Sequence, residues 1–120
     1  MAFWRLLYGG RQAIQTMRKI EALMNQAITN CKDWKLDNTR VTYWPDDDVS
    51  IVDLYGNIIA KIGQDWLQLF DGGHRSVTTK SRLNAILRVH GNGQGIYQKN
   101  FAWFMSTEQG DVPFVSGMKI

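Results

Sequence analysis

A cluster of cations and hydroxyls at the start of a predicted helix is the part of this sequence best suited to chemistry. Thr78 and Thr79 lie at the predicted helix start, and the cations beside them are Arg75, Lys80 and Arg82. The first backbone N–H groups of a helix lack partners, so together with cations they favour a phosphate. Basic side chains in a first turn otherwise oppose the helix dipole, at roughly 0.3–1 kcal/mol each. The pattern predicts an anion site, and a solvent-facing helix cap is the alternative.

An aromatic and polar strand, predicted from Ile96 to Met105, supplies further candidate contacts. Its side chains alternate between two faces, and we expect Phe101 and Trp103 to pack in the core. A tyrosine ring stacks on nucleobases, and amides bind their polar edges. The predicted ligand-binding residues are therefore Arg75, Thr78, Thr79, Lys80, Arg82, Asn84, Tyr97, Lys99 and Asn100.

The sequence contains no residue pattern typical of a catalytic or metal site. Asp46, Asp47 and Asp48 lie in a predicted polar turn and lack the spacing of a calcium loop. The two histidines and the single cysteine do not have the spacing of zinc ligands. Gly91–Gly95 follows a helix and precedes a strand, the reverse of the order in nucleotide-binding glycine loops. We expect no catalytic residue, no metal and no cofactor, and hence a protein that is not an enzyme.

The composition is that of a globular protein. Of the 120 residues, 44% are hydrophobic, and 14 Lys and Arg against 11 Asp and Glu give a formal net charge of +3. This balance permits an anionic partner but is weaker than the dense basic surface of dedicated nucleic-acid binders. One cysteine is too few for an internal disulfide, which favours a reducing compartment. The apolar amino terminus is too short to cross a membrane, so we expect a cytoplasmic protein without a membrane partner.

The hydrophobic periodicity predicts a single α+β domain over residues 1–120. Residues 11–31 have the apolar stripe of an amphipathic helix. From residue 39 short strands with tight turns predict an antiparallel β-meander, including a hairpin at Gly56-Asn57. One inserted helix is predicted at about 78–90, where it ends at a glycine-rich turn. The sheet unit with this helix spans 39–120.

The stripe on the N-terminal helix has two interpretations. It packs on the sheet that follows, or part of it packs on the same helix of another subunit. Its heptad spacing supports the second, which predicts a homo-oligomer assembled through residues 1–31. The predicted interface residues are Ala13, Met17, Ile20, Met24 and Ala27.

Residues 39–105 resemble a family of small tailed-bacteriophage proteins. The resemblance lies in Gly72-Gly73, in Ser76–Ala85, in Tyr97–Phe101 and in the hairpin Leu54–Ala60. The order of elements is also similar to that of the phage anti-Thoeris sponges. That similarity implies an oligomeric, non-enzymatic protein of the host cytoplasm that sequesters a cyclic ADP-ribose isomer, or a cyclic oligonucleotide, made by host defence.

Three functions therefore stay open on the sequence alone. The leading hypothesis is a phage anti-defence protein that captures an anionic nucleotide-type signal without catalysis. The second is a single-stranded nucleic-acid binding module that uses the same cations and aromatic rings. The third is a structural or host-interaction protein whose helix and aromatic tip bind another protein.

Overall fold

Over residues 17–120, which are those that the computed structural model describes, two helices lie among nine strands. The helices are α1 (Lys19–Thr29) and α2 (Val77–His90); the strands are β1 (Trp34–Leu36), β2 (Thr39–Trp44), β3 (Val49–Leu54), β4 (Asn57–Ile62), β5 (Leu67–Leu69), β6 (Gly95–Lys99), β7 (Ala102–Thr107), β8 (Gly110–Pro113) and β9 (Met118–Lys119). All strand pairings are antiparallel within this part of the chain, which confirms the α+β class with its meander and inserted helix. Neither described helix is long and apolar enough to cross a membrane.

The larger sheet has six strands in the order β1-β2-β3-β4-β5-β9. One row of residues runs across it, because Val41 pairs with Val52, Val52 with Ala60, and Ala60 with Leu69. All four side chains are fully buried. Directly opposed residues share one face of a sheet, so this row defines the face that packs on the helices.

Helix α1 begins at Lys19 because Arg18 has an extended backbone, with φ −70° and ψ 153°. It packs against α2 and against β1 and β2. Met24 and Ala27 are buried in the core, at 0% and 7% exposure. This corrects their assignment to an oligomer interface, because the stripe packs on the chain's own sheet and second helix.

The other predicted interface residues have different positions. Met17 is half-buried and packs against the same core, and Ile20 is half-buried on α1. Ala13 lies outside the described residues. Assembly of a homo-oligomer through residues 1–31 stays a prediction, but Met24 and Ala27 no longer support it.

The smaller sheet has the order β6-β7-β8. The prediction of one continuous strand from Ile96 to Met105 was wrong, because this segment forms two strands, β6 and β7. Asn100 and Phe101 form a two-residue turn between β6 and β7, with φ +52° and +66°. Positive φ at both positions is what a type I′ hairpin turn requires, and asparagine tolerates it. Trp103 is buried as expected, at 2% exposure, whereas Phe101 is 95% exposed at the hairpin tip.

Candidate functional site

Helix α2 starts one residue earlier than the two threonines suggested. Ser76 is the N-cap: its backbone is extended and its Oγ accepts a hydrogen bond from the Thr79 N–H at 3.0 Å. Its carbonyl accepts the first helical hydrogen bond, from the Lys80 N–H at 3.1 Å. The Val77 and Thr78 amides precede the capped position and have no acceptor inside the helix. The helix start therefore keeps donors directed outward.

These donors lie beside a cavity of about 270 Å³, which we call the helix-start cavity. It is enclosed by the tip of the β3–β4 hairpin and by the loop that leads into α2. Its lining residues are Leu54, Tyr55, Asn57, Asp71, Gly72, His74, Ser76, Thr78 and Thr79. Gly72 has φ +69°, and a Cβ there would lie 3.2 Å from Ile59 Cγ2. Glycine at this position thus lets the loop approach β4 and close one side of the cavity.

Arg82 does not belong to this cavity, which corrects its assignment as a ligand-binding residue. Its side chain is 4% exposed and forms a salt bridge with Glu21 of α1, Nη1 to Oε2, at 2.8 Å. Its Nε donates to Thr39 Oγ1 at 3.0 Å and its Nη2 to Asn38 Oδ1 at 3.2 Å. Arg82 therefore ties α2 to α1 and to the start of β2. Its position within the helix turns it inward, away from the helix start.

Thr79 and Asn84 are also held by the protein itself. Thr79 is 4% exposed, and its hydroxyl lies 2.9 Å from Ser76 Oγ. The Asn84 amide donates to the Ile96 carbonyl at 2.9 Å and accepts from the Ile96 N–H at 2.7 Å. It thereby pairs with the free edge of β6 as a neighbouring strand would. Both residues position the helix, and their assignment as ligand contacts is corrected.

Arg75 lies at the rim of the site and is paired with a carboxylate. Its Nε is 3.2 Å from Asp71 Oδ2, and its Nη2 donates to the Phe114 carbonyl at 3.2 Å. The guanidinium also lies over the rings of Trp103 and Phe114, at 5.6 and 5.4 Å from their centroids. Burial opposes ionisation of Asp71, but the Gly73 N–H and Arg75 outweigh it and hold the pKa of that carboxyl below its usual value. Asp71 thus takes the place of an external anion at Arg75.

Two polar side chains that line the helix-start cavity stay accessible, and Lys80 follows the last lining residue, Thr79, in the sequence. Thr78 is half-buried on its wall and His74 is exposed. Lys80 is half-buried in the first helical turn, and within residues 17–120 it forms no salt bridge. Of the three cations that the sequence predicted here, Lys80 is therefore the one without a salt bridge in the described chain, and it lies beside the cavity lining in sequence and not within it.

The remaining predicted contacts lie on the smaller sheet. Ile96 is buried at 4% exposure, so its neighbour Tyr97 faces away from the core. The Tyr97 ring stacks with Phe104, at 5.7 Å between centroids. Its hydroxyl donates to the Asp111 carboxylate, which raises the pKa of Tyr97. Lys99 is exposed on the same face. The predicted site is thus divided between the helix start and this aromatic face, and Asn100 occupies the turn.

Sequence reasoning missed Tyr55 and Asn57, although it singled out their hairpin. The turn residues are Tyr55 and Gly56, both with positive φ, and Asn57 is the first residue of β4. The Tyr55 side chain is 74% exposed. An aromatic residue next to the glycine of a predicted hairpin turn is the sequence signal that could have indicated a binding surface here.

The family of this chain is decided by a family model, described as Kyanoviridae Gp96 protein, which matches residues 17–120. The chain belongs to this family. The match includes both helices and both sheets, and it confirms the expected bacteriophage origin. No curated protein and no solved structure matches the chain. The family description names no activity and does not mention an anti-Thoeris sponge.

Proposed function

We propose that this phage protein captures a nucleotide-type small molecule without altering it, and that the helix-start cavity holds the ligand's phosphate. The observation that carries the proposal is the convergence of the α2 start and the Tyr55 tip on one cavity. Phosphate binding by helix amides and base stacking on an aromatic ring are two interactions that such a ligand requires. Here both are available within one site.

The phosphate contacts come from the first turn of α2. The Val77 and Thr78 amides have no acceptor inside the helix, and the Thr78 hydroxyl adds a further donor at the wall. Lys80 supplies the compensating charge. On the other side, the exposed Tyr55 ring offers a face for a base, and the Asn57 amide binds a polar edge.

The charge at the site favours a ligand with one compact phosphate. Arg82 is buried against Glu21 and Arg75 is paired with Asp71, so Lys80 is the cation left for the ligand. A pyrophosphate at this position would also meet the Asp71 carboxylate. Cyclic mononucleotides, and cyclic oligonucleotides through one of their separate phosphodiester groups, therefore fit the site better than the pyrophosphate of a cyclic ADP-ribose isomer. In the infected cell, the protein would sequester such a signal made by host defence.

Calorimetry of the full chain tests this function. The ligands are a cyclic mononucleotide, a cyclic dinucleotide and the cyclic ADP-ribose isomers, and chromatography after incubation reports whether each ligand is unchanged. Lys80→Ala should weaken binding at least tenfold, whereas Lys32→Ala, which removes an exposed lysine beyond the end of α1, should leave it unchanged. Absence of binding to all of these ligands at micromolar concentration, or equal losses in both variants, contradicts the proposal. Native mass spectrometry of the same samples reports the subunit number and so tests the predicted homo-oligomer.

A second candidate function is supported by the aromatic face of the smaller sheet. Tyr97 and Phe104 are stacked there, Lys99 lies on the same face, and the 95% exposed Phe101 extends from its end. This combination suits the stacking of successive bases of a single strand. A steep decrease of affinity with salt, together with loss of binding in Tyr97→Leu, would favour a nucleic acid over a compact ligand.

A further inference from the structure

A second and larger cavity lies at the opposite end of α2 from the helix-start cavity. It has a volume of about 400 Å³ and is formed where the β4–β5 turn faces the residues that end and follow the helix. We call it the His90 cleft; its polar and aromatic lining residues are Gln64, Asp65, Trp66, His90, Asn92 and Gln94. The 14 residues of α2 separate the two cavities by about 20 Å. Its volume lies in the range of about 300–1,000 Å³ typical of small-molecule sites.

The walls of the His90 cleft are fixed by local contacts. On one side the Trp66 indole lies across Gly63, where a Cβ would stand 2.1 Å from Trp66 Nε1. The Gly63 N–H donates to the Trp66 carbonyl at 2.9 Å and closes this turn. On the other side the Asn92 N–H donates to Gln94 Oε1 at 2.6 Å. The cleft is therefore preformed, and binding need not order its walls.

The cleft includes several hydrogen-bond acceptors. His90 Nε2 is buried and has no hydrogen-bond partner among residues 17–120. Burial lowers the pKa of His90 to about 4, so the imidazole is neutral near pH 7. The carbonyl end of α2 adds the negative end of the helix dipole, and Asp65 adds a carboxylate. Two cations lie near these groups: Lys119, whose Nζ is 4.3 Å from the centroid of the Trp66 ring, and Arg88, in the last turn of α2.

This arrangement selects the charge and the shape of a ligand. Carboxylate and carbonyl oxygens repel a phosphate and attract N–H donors. The part of the half-buried indole that Gly63 and Lys119 leave uncovered offers apolar contact to a planar ring. The side-chain amides of Gln64 and Asn92 also line the cleft and supply further polar contacts. A carboxylate accepts two N–H donors at once when they lie side by side on the ligand.

We infer that the His90 cleft binds an uncharged heteroaromatic ring with adjacent N–H donors, of the guanine class, and that it disfavours the phosphorylated form of the same compound. The Asp65 carboxylate accepts the paired N–H groups, and Trp66 contacts the ring. The preference is opposite to that of the helix-start cavity, where a phosphate is the group bound. The inference does not depend on the proposed function, because the two cavities share no residue.

The test is a titration of the full chain with guanosine, followed by the NMR signals of the tryptophan indole N–H groups. Asp65→Asn should weaken binding at least tenfold, and Asp47→Asn, which changes an exposed aspartate in another turn, should leave it within twofold. Trp66→Leu should abolish binding, whereas Trp44→Leu, at a half-exposed tryptophan of β2, should not. Guanosine 5′-monophosphate should bind at least threefold more weakly than guanosine.

Several results would overturn the inference. These are no guanosine-dependent change at millimolar concentration, equal effects of the two aspartate variants, tighter binding of the monophosphate, or the same spectral changes with ribose alone. Asp65 is exposed and forms no salt bridge among the described residues, so its variant keeps the test valid if Trp66→Leu fails to fold. Lys80→Ala should not change guanosine binding, which separates this result from a failure of the helix-start cavity.

Discussion

Two arginine–carboxylate pairs near the start of α2 have similar geometry and different roles. Arg82 and Glu21 are 2.8 Å apart, with side chains 4% and 3% exposed. Arg75 and Asp71 are 3.2 Å apart, with side chains 37% and 18% exposed. The sequence predicted the same role for both arginines, namely to bind a phosphate. The two arginines differ in burial more than in the distance or charge of their partners. Arg82 is buried and joins two helices, whereas Arg75 lies at the surface.

The difference follows from desolvation. A buried ion pair gains little net stability over apolar residues of the same size, but removal of one partner leaves a charge without solvent or partner. A surface pair is screened by water and salt and contributes about 0–1 kcal/mol. Glu21 also accepts a hydrogen bond from Ser81 at 2.6 Å, so the buried pair has further contacts to lose.

The largest expected loss of stability follows from breaking the buried pair of Glu21 and Arg82. Glu21→Ala should reduce the free energy of unfolding by about 3–5 kcal/mol, because it leaves the Arg82 guanidinium buried and unpaired. Urea denaturation measures the loss. The double variant Glu21→Met/Arg82→Met should be more stable than the sum of the two single losses implies, since it leaves no orphan charge. A loss below about 1 kcal/mol in Glu21→Ala would show that the network is not the tie between α1 and α2.

Titration of His90 extends the same comparison to a buried neutral group. Burial lowers its pKa to about 4, below the ordinary value of 6.5, so between these values the unfolded chain binds more protons than the folded one. Neutral His90 therefore makes its full contribution to the free energy of unfolding above about pH 6.5. This contribution is lost as the pH falls toward 4, and the total loss is at most about 3 kcal/mol.

Urea denaturation at pH 7 and pH 5 checks this expectation. His90→Gln should remove most of the pH dependence between these values, whereas the exposed His74→Gln should retain it. A wild-type stability that stays constant from pH 7 to pH 5 would mean that His90 gains water or a partner in solution.

The local sequence predicted much of the fold, because its patterns depend on neighbouring residues. The strands that contain Val41 and Val52 and the helix ending at His90 followed from periodicity and turn residues, whereas the pairing of the two valines came from the structure. The turn at Asn100-Phe101 was missed because an aromatic residue at positive φ is uncommon there. The candidate site was less predictable. Whether Arg82 faces solvent depends on Glu21, 61 residues away, and periodicity does not determine which helix covers it.

A smaller effect is expected at the exposed pair. Arg75→Ala should reduce the free energy of unfolding by at most about 1 kcal/mol, from a screened ion pair and a partly exposed cation–π contact. Removal of the guanidinium should also raise the pKa of Asp71 toward its usual value, because one of the groups that lower it is lost. Carbon-detected NMR of the carboxyl group measures this change, and Arg40→Ala, at the Asp53 pair, is the control. A stability loss comparable to that of Glu21→Ala would erase the distinction between the two pairs.

The smallest effect is expected where a side chain contacts almost nothing. Phe101 is 95% exposed at φ +66°, a conformation that costs an L-residue roughly 1–2 kcal/mol and that glycine adopts freely. Phe101→Gly creates the Asn-Gly pair that type I′ turns prefer, so we expect a gain of about 0.5–1 kcal/mol by urea denaturation. Phe101→Ala keeps the Cβ and removes only the ring, and it should leave stability unchanged. If Phe101→Ala destabilised the protein, the ring would have a partner, as it would in a homo-oligomer. If both variants keep or gain stability, the aromatic ring of Phe101 contributes nothing to the stability of the folded chain.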